Sequence, residues 1–261
     1  HIAEEMITQY ERHGARYFYF TDSLINGSTR EIEKLCDYLI EYKEQHPDAN
    51  FKWKGQFIFK PKHLMKESHI EKLARAGVEY IIVGLETGSD RVRYDMNKHH
   101  TTDDAEWWIQ MLSKYKIKVN LLLLTGWVTE SLEDHQDTLN LFPKWQRYVA
   151  DGTIAAIEIG TTLAINENSP IWKRIKELQI EFINDKPYLW YSYKYPDLTI
   201  AERFRRWTEM FDEAIKYKWP ITRGSFRARY LKNNFLEAVE FLSNNPMPKP
   251  NPLDAIRIEV L

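Results

Sequence analysis

Five short apolar runs punctuate the first part of the chain, at 17–22, 51–59, 80–86, 117–125 and 153–160, and all are rich in β-branched and aromatic side chains. They recur roughly every 30 to 40 residues, the length of a strand–helix unit. Between them apolar residues fall at helical spacing. Three of these segments open with Ser28-x-x-Glu31, Ser68-x-x-Glu71 and Ser131-x-x-Asp134, each placing acceptors where the free amides of a helix start lie. Gly77 stops the second helix just before the next strand. Strands alternating with helices, with no two-residue hairpin between them, predict an α/β fold with a parallel sheet. A (β/α) barrel, whole or partial, and an open doubly wound sheet both satisfy the pattern.

The chain opens inside a helical pattern, with Ile2, Met6, Ile7 and Tyr10 on one face and Gly14 as the stop. Beginning so at His1 rather than at a methionine, it reads as a fragment or a truncated chain. After Gly160 the rhythm changes. Ser169-Pro170 predicts a helix running to Leu178, and Thr199-x-x-Glu202 opens another with Phe204, Trp207, Phe211 and Ile215 on one face. A third is expected near 230–242, followed by an extended tail marked by Pro246, Pro248, Pro250 and Pro252. The expected organisation is a partial parallel (β/α) barrel over 1–163 and a helical C-terminal extension over 164–261 packed on it.

Charge and cysteine content narrow the function classes. With 36 Lys and Arg against 38 Asp and Glu, the net charge is −2, so no nucleic-acid partner is expected. The longest apolar stretch, 119–124, is too short to span a bilayer, and no signal peptide opens the chain. A single cysteine, Cys36, excludes internal disulfides and fits a cytoplasmic location. It shares a helix face with Ile32, Leu35 and Leu39 and is expected in the core. A lone thiol also cannot hold an iron–sulfur cluster, which takes three or four.

Each strand nevertheless contributes a polar residue that calls for an explanation: Asp22, Gln56, Glu86, Asn120 and Glu158. In a parallel sheet covered by helices these side chains point to the lumen or sit at strand ends. One such residue is ordinary; five together point to a ligand site at the C-terminal mouth. Two turns strengthen it, Gly84-Leu85-Glu86-Thr87-Gly88-Ser89 after the third strand and Gly126-x-x-x-Glu130 after the fourth, since glycine lets a ligand approach the backbone. His99-His100 does not share a face and is expected in a solvated loop, and His63 and His69 lack a partnered spacing. The aromatics of 188–195 are expected to fasten the extension to the barrel. Arg203, Arg205 and Arg206, and likewise Arg223, Arg227 and Arg229, are expected on solvated helix faces.

FYFTDSLIN (18–26), GLETGSDRVRYDMNK (84–98) and LLLLTGWVTESLEDHQDT (121–138) resemble, in order and spacing, the barrel of radical S-adenosylmethionine enzymes. The likeness covers about residues 1–165 and is nearest the cobalamin-binding and methylthiotransferase-like branch; Asn168-Ser169-Pro170-Ile171 is loosely similar to the family's "G-T-P-L" helix start. The resemblance implies S-adenosylmethionine as cofactor, with a [4Fe-4S] cluster in the full-length protein only and room for cobalamin. It implies Asp22 and Ser23 near the methionine amino group and Glu86, Thr87 and Ser89 near the ribose and methionine. Gly126 and Glu130 would flank the adenine, and Gln56, where an arginine is common, would join Asn120 and Glu158 along the same mouth. Trp127-Val128-Thr129 replaces the usual "L-P-G" and would narrow the adenine side. The family's C-x-x-x-C-x-x-C loop is absent from this sequence. The expected function is the barrel portion of a radical S-adenosylmethionine enzyme, inactive as it stands. The alternatives are a degenerate barrel binding S-adenosylmethionine, a nucleoside or a partner without radical chemistry, and an unrelated β/α-barrel hydrolase. A small molecule is the expected partner, with self-association through an exposed edge strand at 17–22.

Overall fold

The computed structural model describes residues 1–183 and 185–222. In chain order its elements are α1 (Ile2–His13), β1 (Tyr17–Tyr19), α2 (Thr29–Gln45), β2 (Lys52–Phe57), α3 (Glu67–Ala76) and β3 (Val78–Glu86). There follow α4 (Asp90–Asp95), α5 (Thr102–Lys114), β4 (Lys118–Thr125), α6 (Leu132–Lys144), α7 (Gln146–Ala150) and β5 (Ile154–Thr162). The last are β6 (Ile180–Phe182), β7 (Trp190–Ser192) and α8 (Ile200–Lys216). Strands β1 to β5 form one parallel sheet in sequence order, as the alternation predicts. The fold is α/β, a partial parallel barrel with helical structure following it.

Sheet register explains the alternation of burial. Phe18, Trp53, Phe57, Ile81, Val83, Leu85, Val119, Leu121, Leu123, Ile157 and Ile159 belong to one apolar core together with side chains of the helices. The opposite face carries Tyr17, Tyr19, Lys52, Lys54, Gln56, Tyr80, Ile82, Lys118, Asn120 and Glu158, of which Tyr17, Tyr19, Lys52, Lys54, Lys118 and Glu158 are exposed. One face of the sheet is therefore covered and the other open. Cys36 lies in the core, 1% exposed, as its helical phase predicts.

Helix starts follow the serine and threonine signals in most cases. Ser28, Ser131 and Thr199 accept from the backbone N–H three residues on. The second signal is corrected: α3 begins two residues earlier, capped at Lys66 rather than Ser68, and the Lys66 N–H donates to His69 Nδ1 at 2.8 Å. Ser169 does accept from Trp172 N at 3.2 Å, but the expected helix to Leu178 is only a 3₁₀ turn at Trp172–Arg174 followed by further turns. It ends at Gln179 (φ 49°), beyond which β6 pairs antiparallel with β7, a ribbon the sequence pattern did not predict. The helix expected near 230–242, the proline tail and Arg223, Arg227 and Arg229 lie outside the described residues.

Candidate functional site

The C-terminal ends of the parallel strands gather the two glycine turns. At the end of β3, Glu86 has φ 68°, a left-handed conformation that a side chain with a Cβ adopts at a cost. Its carboxylate folds back over Gly84, and Lys98 Nζ lies 3.0 Å from Glu86 Oε1 and donates to Gly84 O at 3.0 Å. Asn97 (φ 62°) makes the turn that returns Lys98 to this position, a conformation asparagine tolerates. Both charged side chains remain about a quarter exposed, at 25% and 24%. Lys98 thus joins the Glu86 turn, a contact that only its place in the M-N-K triplet marks in the sequence.

The next residues turn inward. Thr87 Oγ1 shares a hydrogen bond of 2.9 Å with Thr138 Oγ1, and Gly88 N donates to the same hydroxyl at 2.9 Å. Ser89 caps α4 by accepting from Val92 N and gives its own proton to Asp134 Oδ1 at 2.5 Å. Arg91 pairs with Asp134, and the donors around that carboxyl hold its pKa well below the usual range despite partial burial. Thr87 and Ser89, both buried, therefore anchor the turn to α6, and Glu86 alone of the three reaches the open side.

The β4 exit is tied down more tightly. Glu130 is buried; its Oε2 accepts from Gly126 N at 3.0 Å and from Arg206 Nη1 at 3.1 Å. Arg206 also donates to the carbonyls of Glu130 and Ser131, each at 3.0 Å, and to Glu202 Oε1 at 2.8 Å. Burial pushes the Glu130 pKa up, and Arg206 opposes that shift. Asp95 Oδ2 accepts from Trp127 Nε1 at 2.6 Å and Thr129 Oγ1 at 2.9 Å, and its Oδ1 from Arg174 Nη1 at 2.8 Å. The solvated face expected for the arginines of α8 is corrected for two of them. Arg203 and Arg206 are 0% and 2% exposed, because α8 turns that side toward the Gly126 turn, while Arg205 pairs with Glu202 and Glu209 at the surface.

The remaining residues spread along the open face. Gln56, Ile82, Asn120 and Ala156 are in register across β2 to β5, and Glu158, exposed, lies beside Leu122. Asn120 is 8% exposed and its Oδ1 has no partner among the described residues. Asp22 and Ser23 follow β1 in an exposed loop. Asp22 borders a cavity of about 420 Å³ between α1, α2 and that loop. Glu86 does not line that cavity. The solvated loop expected for His99-His100 is corrected in its second half. His100 is buried edge-on against Phe59, ring centroids 5.9 Å apart, and both its ring nitrogens lack partners among the described residues. No cluster of three or more His, Cys, Asp or Glu with metal-binding geometry occurs among the described residues, nor is any described helix long and apolar enough to cross a membrane.

Comparison with known proteins agrees with the parallel α/β fold. A 64-residue stretch is 39% identical to the tRNA-2-methylthio-N(6)-dimethylallyladenosine synthase of Christiangramia forsetii, covering 24% of this chain and 13% of that one. The radical S-adenosylmethionine methyltransferase TsrM from Kitasatospora setae, solved with cobalamin and a [4Fe-4S] cluster, superimposes with a TM-score of 0.58 at 17% identity, over 72% of this chain and 34% of that one. The cobalamin-dependent S-adenosylmethionine radical enzyme OxsB gives 0.53 at 13% identity, over 70% and 31%. This chain thus spans a seventh or less of the curated relative and about a third of the two structures. The family model of the radical SAM superfamily matches residues 2–142, more than half of the chain, and the chain belongs to that superfamily.

Proposed function

We propose that this chain is the S-adenosylmethionine-binding barrel portion of a radical SAM enzyme, divided near residue 163 into barrel and extension, and that the ligand lies at the C-terminal mouth beside Glu86. The observation that carries the proposal is Glu86 itself, held at φ 68° over Gly84 at the exit of β3. Unfavourable backbone geometry persists where surrounding structure enforces it, and such sites cluster at ligand clamps. Asn120, with a buried amide oxygen lacking a donor, and Gln56 extend the polar lining along the open face. Carboxylate and amide oxygens suit a ligand bearing an ammonium group, a sulfonium charge and ribose hydroxyls, because charge-assisted hydrogen bonds are the stronger ones.

Membership of the family implies S-adenosylmethionine and a [4Fe-4S] cluster. The cluster, when bound, supplies the electron that cleaves the sulfonium. The residues of this chain do not fit it. Its one cysteine lies in the core on α2, and burial pushes that thiol up to about 12, far from the thiolate a cluster needs. The proposed role of the chain on its own is therefore ligand binding without radical chemistry, and the burial of Cys36 is what favours it. The substrate and any use of cobalamin belong to the whole protein.

Without a cluster to anchor the methionine end, affinity is expected to be no tighter than about 0.1 mM, or roughly 5.5 kcal/mol. Titration calorimetry with S-adenosylmethionine checks it. Glu86→Gln, which keeps the side-chain shape, should raise the dissociation constant by about tenfold, the loss of one charge-assisted bond. Equal heats from both proteins would remove Glu86 from the site.

A further inference from the structure

We infer that the C-terminal extension is part of the ligand site: Arg206 and Arg203 of α8, and Arg174 acting through Asp95, are positioning residues that hold the 126–131 turn in its binding shape. The role presupposes the ligand proposed above.

The geometry is convergent. Each side chain of the turn is already committed. Trp127 and Thr129 are held by Asp95, Val128 is fully buried in a second apolar cluster with Leu163, Ile165 and Trp190, and Glu130 is held by Arg206. Ser131 caps α6. Beneath the turn, the stem of Arg203 occupies the space a side chain at Gly126 would need; a Cβ there would lie 2.7 Å from Arg203 Cδ, and Gly126 has φ +79°. The Arg203 guanidinium stacks 3.7 Å above the Trp190 ring and donates to Trp190 O at 2.6 Å, and Trp190 Nε1 in turn donates to Leu163 O at 2.8 Å. Each guanidinium comes from beyond the barrel: Arg174 from the 3₁₀ turn, Arg203 and Arg206 from α8. A surface turn fastened by its own sequence neighbours would need none of them.

A purely structural role is the competing account, and Arg206 offers the contrast. It makes two of its bonds to carbonyls of the turn backbone, at Glu130 and Ser131, and a third to the carboxylate that itself holds Gly126 N. Removing it frees the turn at both ends. Removing Asp95 frees the middle. General packing by α8 would instead be felt in the strands it covers, β4 and β5.

The test compares wild type with Arg206→Met, with Glu130→Gln/Arg206→Met, and with Asp95→Asn. The double variant removes both charges of the buried Glu130–Arg206 pair and guards against a single variant that fails to fold. Amide hydrogen exchange and calorimetry with S-adenosylmethionine are read on each. The expected result is exchange at 127–131 faster by about tenfold or more, and a dissociation constant raised by about tenfold, with exchange in β4 and β5 unchanged. Unchanged exchange at 127–131 overturns the inference. So does acceleration extending through β4 and β5, which is the signature of general packing, and so does local acceleration with unaltered ligand affinity. If wild type binds no S-adenosylmethionine, the ligand assignment fails separately, and local exchange alone decides whether the extension holds the turn.

Discussion

A buried histidine with no hydrogen-bond partner is a pH-dependent liability, and His100 is one. Its pKa is lowered to about 4 from 6.5, by burial first and then by the charges of Arg93 and Lys98. The sign follows directly. Above pH 6.5 both folded and unfolded chains hold it neutral, and as pH falls toward 4 only the unfolded chain takes up the proton. Stability should decline across that window by about 2–4 kcal/mol from this residue. Urea denaturation at pH 7.5 and 4.5 checks it. His100→Phe, which keeps the ring against Phe59, should flatten that part of the profile, whereas the contribution of His135, also buried, stays in both proteins. A wild-type profile no steeper than that of His100→Phe sinks the idea. At this scale the sequence was legible where one helix face decided burial, as for Cys36. It was opaque where a partner lies far along the chain. Nothing local tells that His100 meets Phe59, that Lys98 returns to Glu86, or that Arg206 reaches Glu130 across 76 positions.

Elements were more legible than contacts. All five parallel strands fall within a few residues of their apolar runs, because each is buried on one face by its own helices. The ribbon of β6 and β7 escaped because three-residue strands are too short to show an alternation. The helix after Ser169 failed because a start signal does not sustain a helix whose chain is taken into that ribbon. One element junction is set by a missing side chain. A Cβ on Gly88 would lie 2.6 Å from Asp137 C and 2.6 Å from Thr138 Cα, backbone atoms of α6 that cannot swing aside. Gly88→Ala should therefore push α4 and α6 apart and cost about 1–3 kcal/mol, read by urea denaturation. Gly14→Ala is the contrast. It meets nothing within 4 Å and loses only the left-handed backbone preference at φ +65°, about 1 kcal/mol. Equal losses at the two glycines would refute the packing account.

At the scale of the molecule the two edges of the sheet differ. Beyond β5, Ile157 forms a parallel bridge with Ile221, with Ile157 N donating to Pro220 O at 2.8 Å and Thr222 N to Ile157 O at 2.9 Å. Among the described residues β1 has a partner only on its β2 side, and its own Tyr17 and Tyr19 are 75% and 51% exposed. An edge strand of this kind is a template for pairing with another chain. Sedimentation velocity should show concentration-dependent self-association that Tyr19→Lys weakens; concentration-independent sedimentation of wild type would dismiss it. The covered edge has its own consequence, in time rather than in space. Each strand–helix unit is local, but the contact between Ile157 and Ile221 joins positions about 64 residues apart. During synthesis at roughly 5–20 residues per second, β5 has left the ribosome some 3 to 13 seconds before the segment that closes beside it. For that interval Ile157 has only its β4 neighbour Leu121, and the β5 side of the nascent sheet is open to pairing with another chain.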